Sequence, residues 1–220
     1  MKVDVIIPAY NEEERMASTL KSLRKEPWIN QIIVVDDGSR DKTRMIAEEY
    51  ADKVISHSEN KGKTAAIFSG LLEATGEWIL LLDADLGETA REGKKLLIPL
   101  ANKEADLTVA ILPQFSRRGF GFVKRRAQGI LLGNHSFSMI APLSGQRAFH
   151  RGWISNIMKK KSYRFGFEMH VNLIFLQHGG KIKEVETSMS HRSTGKDLKG
   201  LVHRARQWIE MEITYGLNRD

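Results

Sequence analysis

Short apolar runs alternate with amphipathic helix patterns along the first 106 residues, and this alternation restricts the fold more than any other feature. Val3–Pro8, Ile32–Val35 and Trp78–Leu82 are apolar enough to be strands that are buried on both faces of a sheet. Helix patterns separate them: one between Asn11 and Pro27, one from about Asp41 to Tyr50, and one over about Lys63–Ala74. This β-α order predicts a mostly parallel sheet, flanked by helices and joined by right-handed crossovers.

The first helix and the second half of the chain give further expectations. Asn11 is placed to cap the first helix, with Glu14 in the reciprocal position of a capping box. Further strands are predicted near Val54–Ser56 and at Leu107–Leu112, Ser144–His150 and Ile182–Met189. Further helices are predicted from Phe122 to about Leu132, over Glu168–His178, and as a long amphipathic helix over about 198–217. No internal repeat or clear linker divides the chain, so we expect one domain over residues 1–220.

Acidic residues follow two of the predicted strands. Asp83-Ala84-Asp85 comes directly after the Trp78–Leu82 run, and Asp36-Asp37 follows Ile32–Val35. The carboxyl ends of strands in an open α/β sheet are where ligands bind, and paired carboxylates there suit a divalent cation and, through it, a diphosphate. Each segment is also compatible with an ordinary turn or helix cap at a strand end.

The basic residues are concentrated in one part of the chain. The formal net charge is +7, and residues 107–167 contain 11 Lys and Arg without a single Asp or Glu. This distribution indicates an anionic partner, namely a phosphorylated acceptor, a membrane surface or a nucleic acid; a solvated basic face without a specific partner is the alternative. The chain has no cysteine, and no signal-like segment or bilayer-length apolar run is apparent, so we expect a cytoplasmic protein.

Four motifs occur in order at the ends of the predicted strands. They are Ile7-Pro8-Ala9-Tyr10-Asn11-Glu12-Glu13, Val35-Asp36-Asp37-Gly38-Ser39, Asn60-Lys61-Gly62-Lys63 and Asp83-Ala84-Asp85. Together they resemble the family 2 glycosyltransferases, over essentially the whole chain. The resemblance implies the α/β fold called GT-A, the nucleotide-diphospho-sugar transferase fold, with a nucleotide-sugar-binding half over residues 1–106 and an acceptor-binding half over 107–220.

The resemblance also implies roles for individual residues on the donor side. The nucleotide-sugar-binding set is Pro8, Ala9, Tyr10, Glu12, Asp37, Lys63, Asp83 and Ala84. Asp37 would accept a hydrogen bond from a uracil N–H, and Lys63 would contact the phosphates unless it is only a solvated residue in the first turn of a helix. Asp85, in a catalytic role, would hold Mn²⁺ or Mg²⁺ with Asp83 and with His191 as a third ligand, since imidazole is compatible with Mn²⁺.

Two segments of the second half refine the resemblance. Pro142–Arg147 and Phe165–His170 are similar to segments of dolichyl-phosphate mannosyltransferases and of glucosyl-3-phosphoglycerate synthases. The implied acceptor-binding residues are Gly145, Gln146 and Arg147, joined by Arg125 and Arg126 from the basic stretch. Glu168 is the candidate catalytic carboxylate: a general base if the acceptor is a hydroxyl, or an orienting group if it is a phosphate. Many inverting members place Asp after this Glu, whereas here Met169 follows.

The expected activity is therefore metal-dependent transfer of a sugar from a nucleotide-diphosphate sugar to a phosphate-bearing acceptor, such as a polyprenyl phosphate or a phosphoglycerate. A UDP-sugar is favoured as donor, with a GDP-sugar as the second choice. A sugar nucleotidyltransferase and, ranked lower, a nucleic-acid-binding module are the alternatives, and no nucleic-acid partner is expected. Peripheral contact with the inner face of a membrane and assembly into a homodimer stay open at this stage.

Overall fold

The structure, a computed structural model, describes residues 1–113, 121–159 and 166–191, together with Gly216. The described strands form one sheet in the order β3-β2-β1-β4-β6-β5-β7. Their bounds are β1 Val3–Ala9, β2 Ile29–Asp36, β3 Lys53–Ser56, β4 Trp78–Leu81, β5 Leu107–Ile111, β6 Arg147–His150 and β7 Ile182–Glu186. β1 pairs in parallel with both β2 and β4, whereas β6 runs antiparallel to its neighbours β4 and β5.

Helices cover both faces of this sheet. They are α1 Met16–Leu23, α2 Thr43–Tyr50, α3 Lys63–Glu73, α4 Lys94–Ala101, α5 Gly121–His135, α6 Ile154–Lys159 and α7 Phe167–Gln177, with 3₁₀ segments at Gly87–Gly93 and Arg151–Trp153. Alternate residues of β1 belong to two different hydrophobic cores. Ile6 packs with residues of α3, α5 and α7, whereas Val5 and Ile7 pack with residues of α1, α2 and α4. Burial on both faces explains why these strands are continuous apolar runs.

The predicted mostly parallel sheet with flanking helices is confirmed, with differences in detail. The predicted strand over Ser144–His150 begins only at Arg147, and α4 and α6 were not predicted. The capping box is wrong, because α1 begins at Met16 without a side-chain cap. Asn11 instead has a positive φ of 55°, and its side-chain oxygen accepts a hydrogen bond from the backbone N–H of Arg40 at 2.9 Å.

Part of the second half cannot be compared with its predictions. Residues 114–120, and the long amphipathic helix expected over about 198–217 apart from Gly216, lie outside the described residues. Within the described ranges, no helix is both long and apolar enough to cross a membrane.

Candidate active site

The sheet brings the acidic strand ends together. β1 lies between β2 and β4, so that Ile7 pairs with Val34 while Ile6 pairs with both Ile33 and Leu81. The chain leaves all three strands at the same edge, where Asp36 ends β2, Asp37 follows it, and Asp83-Ala84-Asp85 follows β4. The predicted juxtaposition of these segments follows directly from parallel pairing.

A residue of α1 holds the turn that carries Asp83 and Asp85. The buried hydroxyl of Thr19 donates to the carbonyl of Ala84 at 2.7 Å and accepts from the backbone N–H of Gly87 at 2.8 Å. Ala84 itself is buried, whereas the side chains of Asp83 and Asp85 remain 22% and 18% exposed. Thr19 therefore fixes the backbone on both sides of Asp85, while the two carboxylates stay partly exposed. No sequence motif marked Thr19 for this role.

His191 lies against both aspartates, although it is more than 100 residues away in sequence. Its Nδ1 donates to Asp85 Oδ1 at 2.9 Å, and its Nε2 is 3.7 Å from Asp83 Oδ2. Burial alone would lower the pKa of His191, but the hydrogen bond to Asp85 and the charges of both carboxylates raise it above its usual value. The structure thus places His191 where the sequence prediction required it, and its role as a metal ligand stays a prediction.

Asp83 is clamped by two side chains from different parts of the chain. Lys63 Nζ is 2.7 Å from Asp83 Oδ1, and Gln146 Nε2 donates to Oδ2 at 2.6 Å. Burial would raise the pKa of Asp83, yet the ammonium of Lys63, followed by His191 and the hydrogen bonds, lowers it to about 2. The same contacts raise the pKa of Lys63 against the opposing effect of burial. Lys63 is therefore ion-paired as well as partly exposed, and its contact with the phosphates stays a prediction.

Glu168 joins this cluster through the same lysine. It stands in the first turn of α7, is only 8% exposed, and has its Oε1 3.4 Å from Lys63 Nζ. Gly145 lies directly against the Lys63–Asp83 ion pair, since a Cβ built there would lie 2.7 Å from Lys63 Nζ and 3.0 Å from Asp83 Oδ2. Glycine at 145 thus permits the close approach of the β6 entry loop to the Lys63–Asp83 pair.

Two of the predicted acceptor-binding residues are engaged inside the protein. Gln146 and Arg147 are both 0% exposed, and their role in acceptor binding stays a prediction. Gln146 orients Asp83, as described above. Arg147 donates to the carbonyl of Ser144 at 2.6 Å and to that of Glu168 at 3.0 Å, and thus ties the loop before β6 to the first turn of α7. Burial lowers the pKa of Arg147 to about 10, still far above neutrality, so it remains a cation.

The loops after β1 and β2 form the other side of the site. Asp37 accepts hydrogen bonds from His57 Nδ1 at 2.6 Å and from the backbone N–H groups of Lys61 and Gly62 at 2.9 and 2.7 Å. Its carboxylate therefore anchors the loop that leads into α3, a use that the sequence did not reveal. His57 in turn bonds Ser69 on α3 at 2.9 Å. A contact between Asp37 and a nucleotide base stays a prediction.

The remaining predicted residues differ in exposure. Tyr10 is 43% exposed at the end of β1, Pro8 and Glu12 are half-buried, and Ala9 is buried. Arg125 and Arg126 are exposed on α5, which packs against the Glu168-bearing helix α7. Their roles in donor and acceptor binding stay predictions.

The ligand atoms of this cluster suit a hard divalent cation, although in this structure the side chains hydrogen-bond to one another. Asp83, Asp85 and His191 supply carboxylate oxygens and imidazole nitrogens, which are ligands for Mn²⁺ and, for the oxygens, Mg²⁺. Among the residues described, no three His, Asp or Glu side chains already have the arrangement of a metal site. Ligation by all three would exchange the Asp85–His191 hydrogen bond for bonds to the ion.

Comparison with known proteins decides the family. The sequence model of glycosyl transferase family 2 matches residues 4–173. The chain belongs to this family. Among its relatives, an uncharacterized protein of Methanocaldococcus jannaschii is 30% identical over 84% of this chain and 79% of that protein. A dolichyl-phosphate beta-glucosyltransferase of Trichomonas vaginalis is 27% identical over 98% of this chain and 74% of that protein.

A solved structure confirms the expected family fold. Glucosyl-3-phosphoglycerate synthase from Mycobacterium tuberculosis, crystallised with Mn²⁺, UDP-glucose and phosphoglyceric acid, superposes with a TM-score of 0.80. The identity is 23%, over 98% of this chain and 80% of that one. The GT-A fold predicted from the four motifs is therefore correct.

Proposed function

We propose that this family 2 member transfers a sugar from a nucleotide-diphosphate sugar to a phosphate-bearing acceptor, with the help of Mn²⁺ or Mg²⁺. A UDP-sugar is the favoured donor. The observation that carries the proposal is the convergence of Asp83, Asp85 and His191 with Lys63 and Glu168 at one sheet edge. These residues come from both halves of the sequence, and a diphosphate with its cation is the ligand that such a mixture of charges would hold.

The proposed metal ligands are Asp85, Asp83 and His191. A cation bound there would neutralise the charge that develops on the departing nucleoside diphosphate. Lys63 adds a second positive charge within reach of the same phosphates, since its ammonium already spans Asp83 and Glu168. Pro8, Ala9, Tyr10, Glu12 and Asp37 would surround the nucleoside from the loops after β1 and β2.

On the acceptor side, Glu168 is the proposed catalytic carboxylate. Its neighbours Met169 and His170 are not acidic and are fully buried, so neither adds a second carboxylate beside Glu168. With a hydroxyl acceptor Glu168 would remove the proton. With a phosphate acceptor, whose oxygen is already ionised near neutral pH, Glu168 would orient the reacting groups through Lys63.

The charge of the chain and the names of its relatives support a phosphorylated acceptor. Residues 107–167 carry 11 basic and no acidic residues, and the two exposed arginines of α5, Arg125 and Arg126, belong to this stretch. The Trichomonas relative is named for transfer to dolichyl phosphate, and the mycobacterial structure contains phosphoglyceric acid. With a polyprenyl phosphate we propose that the protein works as a peripheral protein at the cytoplasmic face of a membrane; assembly into a homodimer stays a prediction.

A ligand screen by thermal shift tests the proposal. UDP, GDP and their sugars are added with and without Mn²⁺, and a melting temperature raised by UDP only when Mn²⁺ is present is the expected result. Hydrolysis of the UDP-sugar is then measured for Asp85→Asn, with Glu104→Gln, an exposed carboxylate paired with Lys183 outside the site, as control. Loss in the first variant alone is expected.

Two other results would count against the proposal. Equal stabilisation by UDP with and without Mn²⁺ would mean that no cation binds in the site together with the nucleotide. Release of pyrophosphate from a nucleoside triphosphate and a sugar phosphate would instead indicate a nucleotidyltransferase.

A further inference from the structure

A single hydroxyl group connects the two chain segments that carry Asp85 and His191. Thr89 lies in the 3₁₀ segment Gly87–Gly93, and its Oγ1 donates to the carbonyl of Leu86 at 2.6 Å. The same oxygen accepts from the backbone N–H of Ser190 at 3.2 Å. Leu86 is the residue after Asp85, and Ser190 is the residue before His191. The hydroxyl thus bridges the immediate neighbours of the two side chains that hydrogen-bond to each other.

A second anchor on the same 3₁₀ segment holds the chain beyond β7. The backbone N–H of Ser188 donates to Glu92 Oε2 at 3.2 Å, and Lys95 Nζ lies 2.6 Å from the same oxygen. The hydrogen bond from Lys95 is the largest of the causes that lower the pKa of Glu92, so this carboxylate is ionised at neutral pH. β7 ends at Glu186, and the amides of Ser188 and Ser190 therefore find side-chain acceptors in place of a strand partner.

We propose that Thr89 is a positioning residue, which holds His191 against Asp85 by joining their backbones through its hydroxyl. The geometry favours this role because one oxygen uses its proton towards Leu86 and a lone pair towards Ser190, so both segments are held by the same atom. Glu92 holds the same segment at Ser188, two residues before Ser190, and so limits the rotation of this segment. The consequence for metal affinity rests on the proposed function, whereas the effect on the position of His191 does not.

A purely local role for Thr89 is the alternative. Its hydroxyl and its backbone N–H both approach the carbonyl of Leu86, at 2.6 and 3.3 Å, as in many turns that begin a helix. A local role would make Thr89 important for the 3₁₀ segment alone. The two roles differ in their effect on Ser190 and His191, which belong to a segment about 100 residues away in sequence.

The first experiment uses the metal-free protein. Thr89→Val removes the hydroxyl at nearly constant shape, and Thr89→Ser keeps it. NMR hydrogen exchange should show the Ser190 amide exchanging about threefold to tenfold faster in Thr89→Val, as expected for one lost hydrogen bond, with little change in Thr89→Ser. The imidazole Nδ1 proton of His191, held by Asp85, should be lost from the spectrum in the same variant. Unchanged exchange and an unchanged imidazole signal would refute the proposal.

The second experiment measures affinity for Mn²⁺ in the presence of UDP. Thr89→Val should weaken Mn²⁺ binding about threefold to tenfold in the wild-type background. In a His191→Ala background the same change should have almost no effect, because a residue that acts through His191 cannot act without it. An equal effect in both backgrounds would mean a local structural role and overturn the proposal. Thr89→Ala repeats the test if the valine variant fails to fold.

The two experiments also separate this inference from the proposed function. If His191→Ala itself leaves Mn²⁺ binding unchanged, His191 is not a metal ligand and the proposed function is wrong on that point. The positioning role of Thr89 is then decided by the metal-free NMR measurement alone.

Discussion

Replacement of Lys63 by methionine tests how much the ammonium group of Lys63 stabilises the two carboxylates beside it. Lys63 Nζ lies 2.7 Å from Asp83 and 3.4 Å from Glu168, so one ammonium group serves two carboxylates. Methionine fills similar space without the charge. Among the described residues, the ionised form of Asp83 then keeps Gln146 and His191 as partners, while burial continues to oppose its charge.

The magnitude follows from the pKa of Asp83, which the folded protein lowers from 3.8 to about 2. Lowering the pKa by this amount corresponds to roughly 2 kcal/mol of stability. Because the folded-state value lies below the unfolded one, this stability is present above pH 3.8 and is lost as the pH falls towards 2. About 1 kcal/mol of it is already lost at pH 3. Lys63 is the largest favourable contributor to the shift, so its removal should cost on the order of 2 kcal/mol at pH 7.

Urea unfolding of both proteins between pH 7 and pH 3 measures this difference. The destabilisation caused by Lys63→Met should be largest at pH 7 and should shrink towards pH 3. Lys53→Met is the matched control, since Lys53 pairs with Glu73 where both side chains are 44% exposed, and it should cost far less at every pH. A cost for Lys63→Met that stays constant from pH 7 to pH 3 would mean that lost packing, and not lost charge, is responsible, and would refute the reasoning.

Three further substitutions have distinct expected outcomes. Gly145→Ala places a Cβ 2.7 Å from Lys63 Nζ and should lower kcat/KM for sugar transfer about tenfold with less than about 1 kcal/mol loss of stability, as enzyme kinetics and urea unfolding can show. Arg147→Met leaves buried carbonyls, including that of Glu168, without donors; it should cost about 3 kcal/mol in urea unfolding and lower kcat more than it raises KM for the donor. Asp4 lies near the start of β1, at the end of the strands away from the site, and its carboxylate accepts four hydrogen bonds. For Asp4→Asn, thermal unfolding should show a loss of about 2 kcal/mol while the KM for the donor sugar nucleotide stays unchanged.

The part of the site that depends on strand ends could be predicted from sequence. Apolar runs that are buried on both faces have few alternatives to central parallel strands, and parallel pairing then brings their carboxyl ends to one edge. This reasoning placed Asp36-Asp37 and Asp83-Ala84-Asp85 correctly. His191 was found only because the family resemblance directed attention to the segment after the last strand.

Side-chain partnerships across the fold could not be predicted in this way. The family resemblance of the Pro142–Arg147 segment implied acceptor binding by Gln146 and Arg147, but it did not reveal that both side chains are buried where β6 enters the sheet. Asn11 has the residue type of a helix cap, yet it hydrogen-bonds with Ser39 and Arg40 in the loop after β2. In each case a tertiary contact, absent from the local sequence pattern, decided the role of a polar side chain.

The division of the chain into a donor half and an acceptor half near residue 106 stays a prediction, and side-chain contacts cross it. Lys63 from the first half contacts Glu168 from the second, and Asp83 is held by Gln146. A change on the acceptor side therefore reaches the proposed metal ligands through one or two hydrogen bonds. Substitutions of Glu168 should consequently alter the donor KM as well as the acceptor KM, whereas two independent half-sites would respond separately.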